Sequence, residues 1–346
     1  MYSTYLTLLV PAIIAFMITA VSTLFLISYM KESGITSLDH YKRSKPQIPG
    51  GGGVALAFGF TVGMLVYVFG GSFGLYIPVA DYTYLFATIL AVLLISFGGF
   101  LDDLNVQSSK TRSTGMMDYR KGLKQWQKPL LTLIGAIPLM AVNAGVSIVH
   151  IPFLGTVNFG ILYPLLIIPL AILYASNAFN LLGGFDGLSS GSAVIVSLAL
   201  LLYSLAFGTY SGALVSVVLF ASSVAFLIFN IYPARIHPGD SFTYAIGAGF
   251  IAAIVIGNME AFGFIVFLPW LIEFLLHLRR RFDVTDLGKM RSDGTMEPPY
   301  GKKIYSWTHL IMNLKKCKEW EVSLYMWLIE IGFVLLAFGI VLASGM

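Results

Sequence analysis

Charged residues and cysteine are both scarce in this sequence of 346 residues. Asp, Glu, Lys and Arg together make up only 11% of the chain, whereas hydrophobic residues make up 57%, and the mean hydropathy is +0.83. Soluble domains carry about a quarter of their residues as charged side chains, so the composition excludes that class. The single cysteine, Cys317, excludes an internal disulfide and a thiolate metal cluster. The chain is therefore predicted to be an all-α integral membrane protein.

Long apolar runs fill most of the chain. A helix needs about 20 mostly apolar residues to cross roughly 30 Å of hydrocarbon. Ten runs approach that length, and the predicted spans are residues 5–30, 52–70, 83–101, 128–146, 160–177, 191–207, 212–232, 242–257, 260–278 and 322–344. The first run lacks the basic start of a signal peptide and is predicted to be a span. Between the fourth and fifth spans, "VSIVHIPFLGTVNFG" alternates weakly and predicts a small hairpin on the outer face.

The cations give an independent test of this topology. With ten spans the odd-numbered loops all face one side, and the 21 Lys and Arg residues all fall in those loops. The even-numbered loops carry Asp81, His150 and Glu260 and no cation. By the positive-inside rule the basic loops are cytoplasmic and both termini are extracytoplasmic. Topology then explains the isoelectric point near 9.0, and no nucleic-acid partner is expected.

Polar residues at the cytoplasmic ends of several predicted spans are expected to meet at one membrane surface. The third span ends in "GGFLDDLN", the fifth in "NAFNLLGGFDGL" and the ninth in "HLRRRFD", while "YPARIHPGDSF" leads into the eighth. Carboxylates, amides and cations at one level are the composition of a site for a metal ion and phosphates. The candidate site residues are Asp102, Asp103, Lys128, Asn177, Asn180, Gly184, Asp186, His237, Asp240, Arg279, Arg280 and Arg281.

Each of these signals also has a purely structural interpretation. An Asp pair at a helix end is usually solvated, although acids at a helix C-terminus oppose the macrodipole at a small cost. Asn177 and Asn180 share a helical face, where amides commonly cap the helix or bond to a neighbouring one. Asp240 has the sequence context of an N-cap, and His237 that of an ordinary loop residue. The arginine run is typical of a positive-inside anchor. The glycine-rich residues 49–56 are typical either of a flexible helix entry or of a place where a ligand approaches the backbone closely.

Taken together, these motifs resemble the polyprenyl-phosphate N-acetylhexosamine-1-phosphate transferases, membrane enzymes that move a sugar 1-phosphate from a UDP-sugar to a lipid phosphate. The resemblance covers nearly the whole chain, taken as one domain of residues 1–346. The branch it resembles most is the archaeal and eukaryotic UDP-GlcNAc:dolichyl-phosphate enzyme. Phe-Thr follows Gly-Asp-Ser in "HPGDSF", and the last cytoplasmic loop carries arginines where the peptidoglycan branch carries histidines. Bacterial members commonly have Asp where this chain has Gly183, so that metal ligand is missing here.

The resemblance implies a catalytic and metal-binding set. Mg²⁺, with Mn²⁺ as its substitute, is expected on Asn180 and Asp240. Asp102 is expected to orient the lipid phosphate or to finish its deprotonation. Asp103 is expected to support the metal ion or Lys128, and Lys128 to neutralise the pyrophosphate.

The resemblance also implies the substrate contacts and the setting. Asp186 is expected to read the uracil edge, and the other predicted substrate-binding residues are Asn177, Asn180, Gly184, His237, Arg279, Arg280 and Arg281. The expected partners are UDP-GlcNAc, a polyprenyl or dolichyl phosphate and the lipid bilayer. The expected location is the cell membrane of a prokaryote, in particular an archaeon, with the active site cytoplasmic. The sequence leaves a homodimer open.

Two other functions fit parts of the sequence. A related transferase would use UDP-GalNAc or UDP-MurNAc-pentapeptide as the donor. A secondary transporter would also place polar residues at a broken helix. Transporter sites lie near the bilayer midplane, however, and no ionisable residue sits in the middle of a predicted span apart from Glu273 and Glu330, both near helix ends or interfaces. The transporter is therefore the weaker alternative.

Overall fold

The fold is a bundle of long helices. The computed structural model describes residues 7–39, 41–42, 44–104, 109–110, 117–118 and 126–344. The helices in chain order are α1 (Leu9–Glu32), α2 (Gly53–Ser72), α3 (Tyr82–Leu104), α4 (Gln127–Ile134), α5 (Ile137–Ala141), α6 (Tyr163–Leu181), α7 (Leu188–Ala206), α8 (Tyr210–Asn230), α9 (Gly239–Gly257), α10 (Glu260–Val266), α11 (Leu268–Leu278), α12 (Trp307–Leu314) and α13 (Glu319–Ser344). This architecture confirms the predicted all-α membrane fold.

Short antiparallel pairs of strands lie in the connections. The pairs are β1 (Thr36–Leu38) with β2 (Gln47–Pro49), β3 (Ser109–Lys110) with β4 (Met117–Asp118), β5 (Ile148–Ile151) with β6 (Gly155–Asn158), and β7 (Lys289–Met290) with β8 (Met296–Glu297). The β5–β6 pair is the hairpin that the sequence predicts, with Ile148 opposite Asn158 and Ile151 opposite Gly155.

The number of continuous spans differs from the predicted ten. Among the described residues, eight helices are long and apolar enough to cross a membrane, and α10 with α11 makes a ninth across a 53° bend. Residues 128–146, predicted as one span, form the two short helices α4 and α5 instead. Pro138 has no N–H to donate, and its ring would clash with the carbonyl of Ile134, which favours a break between the two helices at this point. Both short helices still pack against α3 and α6.

Helix α9 is the centre of the bundle. Every one of its residues is buried, and it contacts α2, α3, α6, α7 and α8. Two glycines allow its first turn to approach the neighbouring backbones. A Cβ atom on Gly53 would lie 1.9 Å from the Phe242 nitrogen, and one on Gly99 would lie 2.6 Å from the Asp240 carbonyl carbon. The glycine-rich start of α2 therefore serves close helix packing.

We expect Gly53→Ala to destabilise the protein by about 1–3 kcal/mol or more, because a methyl group there overlaps the α9 backbone. Gly339→Ala on α13 is the matched control. Apart from the local backbone of α13 itself, no atom lies within 4 Å of a Cβ at that position. Alanine should be neutral or favourable there by about 0.5–1 kcal/mol. Thermal unfolding of the purified proteins in detergent checks both. Equal melting temperatures for the two variants would contradict the packing of α2 on α9.

Candidate active site

A lysine bridges two buried carboxylates where three helices meet. The Nζ atom of Lys128 on α4 lies 2.8 Å from Oδ2 of Asp102 on α3 and 2.6 Å from Oδ2 of Asp240 on α9. The Tyr244 hydroxyl also donates to Oδ2 of Asp240, at 3.2 Å. The exposed fraction of the Lys128 side chain is 23%, against 3% and 2% for the two carboxylates. Lys128, Asp102 and Asp240, here called the Lys128 trio, thus place a partly exposed lysine side chain against two buried carboxylates.

Asp103 has a different role from its neighbour. Its Oδ1 accepts the Asp240 N–H at 2.7 Å, and its Oδ2 accepts the Ser241 N–H at 3.0 Å and the Ser241 hydroxyl at 2.7 Å. Asp103 therefore caps the N-terminus of α9 from another helix. Gly239 is required beside it, because its φ is +73° and a Cβ would lie 2.3 Å from Oδ2 of Asp103. This geometry makes Asp103 a positioning residue for Asp240, and its expected support of a metal ion or Lys128 stays a prediction.

The two asparagines of α6 also make different contacts. The Asn180 Oδ1 atom accepts from the Thr243 hydroxyl at 3.1 Å, which places Asn180 beside the first turn of α9. Asn177 instead donates from Nδ2 to the Thr132 hydroxyl of α4 at 2.9 Å and to the Leu173 carbonyl at 2.8 Å. Asn180 thus lies beside the turn that carries Asp240, whereas Asn177 joins α6 to α4.

Asp186 belongs to a second charged cluster. Lys42 Nζ lies 2.7 Å from Oδ2 of Asp186, 2.6 Å from Oε2 of Glu319 and 3.1 Å from Oδ2 of Asp39. Oδ2 of Asp186 also accepts the Ala234 N–H at 2.8 Å. Burial lowers the pKa of Lys42, but Glu319 and Asp186 outweigh it and raise that pKa well above its ordinary value. The four charged residues, here called the Lys42 cluster, hold more negative than positive charge.

Neither Lys42 nor Glu319 is among the residues that the sequence predicts for the site. Glu319 opens the last membrane helix, and its Oε1 accepts the Asp186 N–H at 3.2 Å. In the sequence Lys42 is one positive-inside cation among several, and Glu319 is an ordinary acid in a first helical turn. Asp186 and Glu319 lie 144 and 277 residues from Lys42 in the sequence, so no local sequence pattern indicates that they meet.

Gly184 and Asp286 join the loop after α6 to the connection after α11. The Gly184 N–H donates to Oδ2 of Asp286 at 3.0 Å, and a Cβ on Gly184 would lie 2.1 Å from Cδ2 of Leu287. Burial, with a further contribution from the Glu273 carboxylate, raises the pKa of Asp286 to about 6. The sequence does not single out Asp286, which lies five residues beyond the arginine run.

Two of the three arginines contact the connection that carries them. The Arg279 Nη1 atom donates to the Ile304 carbonyl at 3.2 Å. The Arg280 guanidinium lies 5.3 Å from the Tyr300 ring centre and 5.4 Å from that of Tyr305. Arg281 is exposed, with a φ of +52°. Within the described part of the chain the arginines do not contact the Lys128 trio.

His237 lies at the entry to α9. Its N–H donates to the Pro49 carbonyl at 2.8 Å, and its carbonyl accepts the Gly52 N–H at 3.1 Å. The backbone of His237 therefore fixes the start of α2 against the start of α9, and its half-buried side chain lies two residues before Gly239.

A buried histidine organises the connection after α11. His309 of α12 donates from Nε2 to the Thr285 carbonyl at 2.9 Å, and its Nδ1 accepts the Tyr305 N–H at 3.3 Å. Both bonds are satisfied by the neutral ring. Burial lowers the pKa of His309 to about 4, so the ring stays neutral at physiological pH.

Comparisons with known proteins find a matching family and several similar proteins. The model of a family described as Glycosyl transferase family 4 matches residues 85–258, which include the Lys128 trio, Asp103 and Asn180. A protein of Saccharolobus solfataricus named "Putative UDP-N-acetylglucosamine--dolichyl-phosphate N-acetylglucosaminephosphotransferase" is 36% identical over 336 residues, or 96% of each chain. The protein of the same name from Sulfolobus acidocaldarius is 34% identical over 96% of this chain and 95% of its own. A phospho-N-acetylmuramoyl-pentapeptide-transferase of Bacillus cytotoxicus is 28% identical over 96% and 97%.

His309 and Asp286 should make opposite contributions to the pH dependence of stability. The folded-state pKa of His309 is depressed to about 4, so its contribution is present above pH 6.5 and is lost as the pH falls towards 4. The folded-state pKa of Asp286 is raised to about 6, so its contribution is present below pH 3.8 and is lost as the pH rises through 6.

Between about pH 6.5 and 4.5, acidification should therefore lower the melting temperature less in His309→Gln than in the wild type, and more in Asp286→Asn. Thermal unfolding of the three proteins across this range is the measurement. Parallel curves for all three would show that neither group titrates as the structure indicates.

Proposed function

The chain belongs to glycosyl transferase family 4, and we propose that it transfers N-acetylglucosamine 1-phosphate from UDP-N-acetylglucosamine to a polyprenyl phosphate of the dolichyl type. Two relatives matched over nearly their full length carry this donor and acceptor in their names, at 36% and 34% identity. The relative named for a muramoyl-pentapeptide donor is 28% identical. The observation that carries the proposal is the Lys128 trio, which holds a cation at a membrane-level cluster of carboxylates inside the matched segment.

The proposed reaction is a direct displacement at phosphorus. An oxygen of the lipid phosphate attacks the phosphorus that carries the sugar, the bond to the bridging oxygen of the diphosphate breaks, and UMP leaves with that electron pair. A phosphate monoester has a second pKa near 6, so the attacking group is already mostly dianionic at pH 7 and needs no strong base. We prefer this route to a covalent aspartyl phosphate, because an Asp carboxylate bound to Lys128 is a weakened nucleophile.

Lys128 and Asp102 have complementary roles in this proposal. Two anions must approach to bonding distance, and positive charge placed beforehand in a partly buried site lowers that cost. The Lys128 ammonium is held by two carboxylates and its side chain is 23% exposed, so it can donate to an incoming phosphate without moving far. Asp102 then orients the lipid phosphate.

Asp240 and Asn180 are the proposed ligands of Mg²⁺. No group of three or more His, Cys, Asp and Glu in the described residues is arranged to hold a metal ion. Mg²⁺ sites with one or two protein oxygens are completed by substrate phosphates and water. Asn180 bonds to Thr243, one turn beyond Asp240, so both oxygen donors lie at the start of α9. The ion would supply charge neutralisation to the diphosphate.

The Lys42 cluster is the proposed site for the uracil base. Three carboxylates surround one ammonium, so excess negative charge disfavours a phosphate there. Asp186 offers an acceptor and Lys42 a donor within 2.7 Å of each other, which is the pattern that the N3–H and O4 of uracil require. Asp186 therefore keeps its expected contact with the base, and Lys42 is added beside it.

The chain is a multi-pass membrane protein, and we propose that its active site faces the cytoplasm. We take α4 together with α5 as the fourth crossing, so that the order of crossings stays as the sequence predicts. All of the Lys and Arg residues then lie in, or at the ends of, the connections on one side of the membrane, and the cations of the proposed site are among them. The positive-inside rule places such connections on the cytoplasmic side.

The first test is Asp240→Asn, assayed as UMP release from UDP-GlcNAc with a polyprenyl phosphate and saturating Mg²⁺. Loss of the carboxylate removes a metal ligand and a partner of Lys128, so turnover should fall by about 100-fold or more. The release should depend on a divalent cation in the wild type. Asp293→Asn, on an exposed turn, is the matched control and should retain full activity. Near wild-type turnover in a folded Asp240→Asn protein would refute the metal assignment.

The second test concerns the sugar donor. Arg279→Ala and Arg281→Ala should each lower kcat/KM for UDP-GlcNAc by about 1.5–3 kcal/mol, the range for a charge-assisted hydrogen bond. Lysine should restore only part of this, because it cannot form a forked pair of bonds. Arg235→Ala is the control for a lost exposed cation. The proposed contact of these arginines with the donor is wrong if both variants keep the wild-type kcat/KM. The proposed donor is wrong if UDP-GalNAc or UDP-MurNAc-pentapeptide proves the better one.

A further inference from the structure

A groove with basic walls lies in the connection between α11 and α13. It has a volume of about 420 Å³, and its charged lining residues are Arg291, Glu297, Lys302, Lys315 and Lys316. It shares no residue with the Lys128 trio or the Lys42 cluster. This basic groove is therefore separate from the proposed reaction site.

The groove has the chemistry of a phosphate site. Its single acid, Glu297, is already paired, since Oε2 accepts from Nε of Arg291 at 3.1 Å. Arg291 Nη1 is buried from solvent and has no hydrogen-bond partner among the described residues. Lys302 and Lys316 are exposed, and Lys315 donates to the Tyr325 hydroxyl. An excess of cations together with an unpaired buried donor favours an anion with several acceptor oxygens.

The groove also lies at the level of the membrane surface. Lys315 and Lys316 lie a few residues before Glu319, the first residue of the last membrane helix. Even a fully extended chain would put each lysine no more than about 15 Å from the start of that helix. Leu314 on the groove wall is 78% exposed, and Trp320 in the first turn of α13 is 43% exposed. Tryptophan is typical of the bilayer interface, and basic clusters next to a membrane helix attract anionic lipids.

We propose that the basic groove binds the phosphate of an anionic lipid headgroup. Lys302, Lys316 and the free Nη1 of Arg291 donate to the phosphate oxygens, while Leu314 contacts the acyl region. Such a lipid fastens the connection that carries the arginine run to the bilayer surface. The ligand is a bulk membrane lipid, and the assignment does not depend on the proposed transferase reaction.

The test is a titration of the full-length detergent-solubilised protein with phosphatidylglycerol, with bound lipid counted by native mass spectrometry. The groove variant is Lys302→Gln with Lys316→Gln. The charge-matched control is Lys31→Gln with Lys289→Gln, two exposed lysines outside the groove. With each lysine contributing about fivefold, the groove variant should bind the lipid about 30-fold more weakly, and the control within about threefold of the wild type.

Two results would overturn the proposal. Equal loss of binding in the groove variant and the control would mean that the lysines act only through general charge. Displacement of the lipid by millimolar inorganic phosphate, with the same loss of phosphate binding in the groove variant, would assign the groove to a soluble phosphate. Unchanged melting temperatures in both variants confirm that folding does not account for the difference.

Discussion

The first turn of α9 is the constraint on which the rest of the structure depends. Asp102 and Asp103 end α3, where the helix dipole disfavours acids, yet both lie at the N-terminus of α9, where it favours them. Asp103 supplies the cap, and Lys128 neutralises part of the charge of Asp102 and Asp240. The position of the two carboxylates at the end of α3 is thus explained by their contacts with α9 and Lys128 and not by α3 itself. The close approach of Gly53 and Gly99 to this turn follows from the same packing.

In the proposed function, the two charged clusters divide the work of binding a nucleotide sugar. The Lys128 trio offers a cation that is held in place and still partly exposed, which suits phosphates. The Lys42 cluster carries more carboxylates than cations, which suits a neutral base. Because both are anchored to buried helix ends, their geometry is set before any substrate binds, and such preorganisation is the main source of electrostatic catalysis.

The sequence predicts the parts of this fold that depend on local pattern. Apolar runs locate most membrane helices, and the motifs locate Asp102, Lys128, Asn180 and Asp240, which meet as expected around α9. Residues 128–146 fail as one span because hydropathy does not register the break at Pro138. The roles that depend on distant partners cannot be predicted in this way. Asp103 is a cap only because another helix begins beside it, and Glu319 reaches Lys42 across 277 residues.

The measurement that tests the account most directly is a comparison of Asp102→Asn with Asp103→Asn, adjacent residues with identical side chains. Asp102→Asn should keep the wild-type melting temperature and affinity for UDP-GlcNAc while kcat falls, and the defect should shrink at high pH, where the lipid phosphate needs no help. Asp103→Asn should lower the melting temperature, because the cap of α9 loses an acceptor and its charge. Equal losses of stability and of nucleotide affinity in the two variants would contradict the separate roles assigned to these carboxylates.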